Sequence, residues 1–194
     1  MNELTQQLLV TLWDRQPGFG EIDGRLAEEC KTMSAAEAGV IGRDLILRRQ
    51  GLYTKLFSMA AYLASGGTAG NDSFMDFADC VAILPEDRYQ RIVGDPDALI
   101  DDEVSEPFGE FYFVSRVTKV FDRSLLDEDG GFLRYLVLGP EDDSRSKIYP
   151  WEDGDEALLP RLHAKYGQLL RSTKPHASLS DLNRERVTLD DLIP

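Results

Sequence analysis

Carboxylates are the first residues to weigh for chemistry. Asp72, Asp76 and Asp79 stand at i, i+4 and i+7, so on a helix they share one face. A hard cation takes oxygen ligands, and this spacing could hold one for metal-dependent hydrolysis. The plainer reading is the polar face of an amphipathic helix. Asp127-Glu128-Asp129-Gly130 loosely resembles the opening of a calcium loop, but Gly131 follows at the fifth position and no glutamate stands at the twelfth. Nothing in this acid-rich chain singles out a carboxylate pair for glycoside hydrolysis. His163 and His176 have no partner at HxxxH or HxH spacing, and Cys30 and Cys80 sit in no CxxC pattern. No metal site is therefore expected, and the cysteines read as small buried hydrophobes. Gly66-Gly67-Thr68-Ala69-Gly70 lacks the lysine of a phosphate loop and follows a helix, so it reads as an interhelical turn. The nucleophile-elbow and dinucleotide patterns are absent too, and neither a catalytic residue nor a cofactor is expected.

What the carboxylates do offer is charge. The 194 residues carry 35 acids and 21 Lys and Arg, a net charge of -14. Residues 1–100 hold 15 acids against 9 bases, residues 101–160 hold 16 against 6, and residues 161–194 hold 4 against 6. The middle stretch is thus net -10, and its acids come in clusters beside Gly and Pro: Asp101-Asp102-Glu103 with Glu106, Asp127-Glu128-Asp129, Glu141-Asp142-Asp143, Glu152-Asp153 and Asp155-Glu156. Such clusters read as loops. Gathered on one face they would steer a basic protein partner, with Tyr149 and Trp151 as candidate apolar anchors. Left apart they are a solvated surface that keeps the protein soluble. The charge sign argues against a nucleic-acid backbone as partner, because such binding needs a basic patch, and none is expected. No run approaches the roughly 18 apolar residues of a membrane helix. The first residues, MNELTQQLLVTLWDR, lack a basic start followed by an apolar stretch, so a cytoplasmic location is expected.

The elements that must position these residues are mostly helical. Leu4, Leu8 and Leu12 recur at helical spacing over 3–14, and Pro17, Gly18 and Gly20 break that helix. A short helix fits 23–32. Ser34 with Glu37 is a capping-box start for a longer one from Ala35 to Arg49, weakened by Gly39 and Gly42 and closed by Gly51. Residues 52–64 place Leu52, Leu56, Met59 and Leu63 on one stripe of a buried helix ended by Gly66-Gly67. Asn71 or Asp72 can cap a helix over 72–84, whose core stripe is Phe74, Phe77, Ala78, Val81 and Leu84. Pro85 opens a short helix through Val93, and Asp95-Pro96-Asp97 starts a further turn. Residues 107–122 favour helix over strand by length. Residues 132–138 and 146–150 predict a small β-hairpin, and 155–170 a last helix with Leu158, Leu159, Leu162, Tyr166 and Leu169 inward. The fold class expected is mainly α: a single-domain helical bundle over 1–170 with a β-hairpin near 132–150, followed by a C-terminal tail at 171–194.

The stretch from Ala60 to Asp102 resembles the bacterial family catalogued as domain of unknown function 4240. The residues that carry the likeness are the double glycine Gly66-Gly67, the acid Asp72 before Phe74 and Phe77, then Tyr89, and the D-P-D-x-L turn of Asp95, Pro96, Asp97 and Leu99. Residues 151–167 are similar to that family's C-terminal helix. Where the family has a tryptophan-bearing segment and a glycine-arginine pair, this chain has Cys80-Val81-Ala82 and Glu86-Asp87-Arg88, which marks a divergent member. The resemblance implies a mainly helical single domain and no established enzyme activity. The shared residues read as fold-makers: Gly for turns, Phe for core, Asp-Pro for a helix start.

Charge and resemblance together point to a non-catalytic acidic binding protein. The reading adopted is an immunity protein that covers the basic cleft of a nuclease-type bacterial toxin or effector. The alternatives are a metal-dependent hydrolase on the Asp72/Asp76/Asp79 face, and a regulatory scaffold that forms homo-oligomers.

Overall fold

A computed structural model of the chain describes residues 1–15, 17–67, 70–102, 113–124, 149 and 154–170. Helix α1 (Glu3–Leu12) starts where the Asn2 side chain accepts the Leu4 N–H, and it turns Leu8, Leu9 and Leu12 inward. Helix α2 (Phe19–Thr32) begins four residues earlier than its apolar pattern, on an extended Gly18. The gain that extends it is Phe19, whose ring packs edge-on against Trp13 at 5.4 Å. Gly20 is carried inside the helix and faces open space, so it breaks nothing.

Helix α3 (Ala35–Gly51) has both bonds of the capping box: Glu37 N–H donates to Ser34 Oγ at 3.3 Å, and Ser34 N–H to Glu37 Oε2 at 2.9 Å. It packs against α1, α5 (Asn71–Ala82) and α7 (Phe113–Ser124), and it is therefore buried on several sides. Gly39 and Gly42 are themselves buried there, and packing outweighs their helix cost. Gly51 closes α3 for a reason other than a left-handed backbone. The Tyr89 hydroxyl lies 2.9 Å from where a Cβ at this position would sit, and it donates to the Arg48 carbonyl at 2.8 Å.

Leu52 is not on the next helix but buried in the link before it. Helix α4 (Lys55–Ala64) is capped by Thr54 Oγ1, which accepts the Phe57 N–H at 3.2 Å. Its C-terminus is a Schellman turn. Gly66 and Gly67 take φ of 66° and 81°, Gly67 N–H reaches Tyr62 O at 2.9 Å, and Gly66 N–H reaches Leu63 O at 3.0 Å. Both left-handed positions favour glycine. Helix α5 is capped by Gly70, with no side-chain bond, rather than by Asn71 or Asp72. Phe74, Phe77, Ala78 and Val81 are buried as their spacing requires, and Phe77 meets Phe57 at 5.5 Å.

Helix α6 (Glu86–Gly94) opens after Pro85, with Glu86 and Asp87 in its first turn. A 3-10 turn (Pro96–Asp101) follows. Residues 113–122 are helical in α7, as length predicts, while 107–112 lie outside the described residues. The last helix is shorter than expected. A 3-10 turn (Asp155–Ala157) precedes α8 (Pro160–Leu170), because proline restricts the residue before it and seats itself at the first helical position. That break turns Leu158 outward, 53% exposed, whereas Leu159 and Leu162 are buried. The protein is mainly α, with no strand among the described residues. Apart from Tyr149, the hairpin expected at 132–150 lies outside them, as does the tail at 171–194.

Gly51 and Tyr89 form a testable pair. Gly51→Ala should destabilise the protein by about 1–3 kcal/mol, the usual cost of overpacking. The same substitution should cost less in Tyr89→Phe, which lacks the obstructing hydroxyl. Urea unfolding of the four proteins of this cycle reads the coupling.

Candidate functional site

The acidic residues singled out by the sequence divide into those the fold uses and those it exposes. Asp102 is buried, 3% exposed, and its two oxygens hold Arg88 and Arg91 of α6, the latter at 2.6 Å. It is a clamp inside the fold and offers no surface to a partner, which corrects its place among the binding candidates. Asp101 is exposed and bridges to Arg161 at the start of α8, with N–O distances of 2.5 and 3.2 Å. The Arg161 hydrogen bond holds the Asp101 carboxyl below its usual range. Asp155 is half-buried and Glu156 exposed, in the 3-10 turn that contacts α8. Glu156 accepts the Gly154 N–H at 2.9 Å, where φ of 97° requires glycine. Asp101 and the Asp155–Glu156 turn, more than fifty residues apart in sequence, thus each border the N-terminal end of α8, where a helix dipole favours negative charge.

Tyr149 is 38% exposed, and its N–H donates to the buried Ser58 Oγ of α4 at 2.9 Å. The proposed anchor is therefore tied to the bundle through its backbone, with its ring partly in solvent. Glu103, Glu106, Glu141, Asp142, Asp143, Trp151, Glu152 and Asp153 lie outside the described residues.

The D-P-D-x-L residues each have a structural task. Asp95 accepts the Asp97 N–H at 3.1 Å and caps the 3-10 turn, where Pro96 sits at the first position. Asp97 is buried, and its two oxygens accept the Leu162 N–H at 2.8 Å and the Arg161 N–H at 2.9 Å. It caps a helix that begins more than sixty residues later. Leu99 is in the core.

Of the Asp72/Asp76/Asp79 face, Asp79 is taken into the core. It pairs with buried Arg49 at 3.3 Å, and its second oxygen accepts the Val114 N–H of α7 at 3.3 Å. Burial lifts its carboxyl to about 7, against the pull of Arg49 and of the Val114 amide. A carboxyl of that pKa suits proton transfer, but at 3% exposure this one serves to cap a helix rather than to meet a substrate. Asp76 is half-buried. No group of three His, Cys, Asp or Glu among the described residues is placed to hold a metal ion. Cys80 is buried, and burial pushes its thiol up; Cys30 is half-buried and shifted the same way. His163 is half-buried on α8 and lies over Gly167, where a Cβ would meet the ring at 2.6 Å.

Sequence reading missed Arg48 and Arg49. Arg48 is buried and reaches Ala82 O at 2.7 Å, Leu84 O at 2.6 Å and the Glu86 carboxylate, with its guanidinium 3.9 Å from the centre of the Tyr89 ring. Burial pulls that guanidinium below its usual value, and Glu86 opposes the shift. Trp13 Nε1 donates to Ile83 O at 2.8 Å, so the last carbonyls of α5 and its exit are held by side chains from elsewhere. The available signal was position: both arginines end an apolar helix, and Asp79 stands between the core residues Ala78 and Cys80.

No helix among the described residues is long and apolar enough to cross a membrane. No family model, curated protein or solved structure matches the chain.

Two outcomes are expected. Asp97→Ala removes the α8 cap and should destabilise by about 1–2 kcal/mol, read as a lower urea midpoint. Asp79 rises from an ordinary 3.8 to about 7 in the fold, so its contribution is fully present below pH 3.8 and is lost as pH rises through 7. Asp79→Asn lacks that dependence. Its stability relative to the parent should therefore improve between pH 4.5 and pH 7.5, measured by urea unfolding at both values.

Proposed function

We propose that the protein is a non-catalytic acidic binding protein: an immunity protein that occludes a basic, nuclease-type bacterial toxin or effector. The observation that carries this reading is the charge distribution. The chain is net -14, and 101–160 alone is net -10. A field of one sign speeds encounter with a basic cleft and disfavours acidic partners. The acids at the start of α8 add a second argument. Asp155 and Glu156 stand just before that helix end, a few residues after Tyr149-to-Trp151 in sequence. Charge there would orient a partner, and the aromatics would supply the buried contact.

Kinship with domain of unknown function 4240 is a proposal of the same standing. It rests on Gly66-Gly67 and on the Asp95-Pro96-Asp97 turn with Leu99, residues whose local tasks are backbone geometry, capping and core. It adds a helical domain and no activity.

The experiment is affinity purification of the tagged protein from its native host, with mass spectrometry of what is bound. The expected result is one basic protein in stoichiometric amount, whose nuclease activity falls as the purified protein is added back. Charge reversal at Glu141, Asp142 and Asp143 should slow association about tenfold or more at low salt and much less at high salt, measured by stopped flow. A partner that is acidic, or whose activity is untouched, ends the reading.

A further inference from the structure

We draw no further inference here: the strongest candidate, the exposed face of α3 that carries Val40, Arg43 and Leu47, is an unpartnered helix face, and nothing among the described residues shows what covers it.

Discussion

Arg48 and Arg49 carry two guanidinium groups into the interior at the end of α3, and the arrangement of the helices around them follows from what such groups require. A buried charge without partners costs several kcal/mol, so each must be met by acceptors. Arg48 finds them in the exit of α5, at Ala82 O and Leu84 O, and in Glu86 at the start of α6. Arg49 finds Asp79, which in turn accepts the Val114 amide of α7. Four helices are thereby fixed by one pair of adjacent residues: α3 by carrying them, α5 by its end, and α6 and α7 by their beginnings. Helix ends buried in a bundle leave backbone groups that water cannot reach, and these side chains are what satisfies them.

The same solution recurs elsewhere with either sign of charge. Arg25 of α2 donates to Leu12 O at 3.1 Å and Asp14 O at 2.8 Å and so closes α1. Asp97 opens α8. Asp102 binds the two arginines of α6 to the turn that follows it. Remote capping of this kind links elements far apart in the chain, so a short helix such as α8 owes its place to Asp97 as much as to Leu159 and Leu162.

These remote caps also explain what the sequence could and could not reveal. The apolar stripes of α1, α4 and α5, the Ser34–Glu37 box and the Gly66-Gly67 turn are local, and local spacing is enough to read them. The partner of Asp79 lies 30 residues before it and that of Asp97 about 65 after, and no periodicity connects them. Read locally, Asp79 belonged to a polar face and Asp102 to an acidic cluster; both are buried because an arginine elsewhere meets them. Gly51 shows the same limit. Its position at a helix end was legible, but its cause is a tyrosine hydroxyl from α6.

The division of acids between fold and surface bears on how a partner would be held. Asp102 answers two arginines and Asp101 a third, so these carboxylates add little to a long-range field. Steering falls to acids that lack such a fixed cation, and salt screens it beyond about 8–10 Å. Residence depends on desolvated apolar contact, which screening leaves nearly untouched. A protein that binds through both therefore separates the two rates: acidic loops govern arrival, and the apolar contact they bring together governs departure.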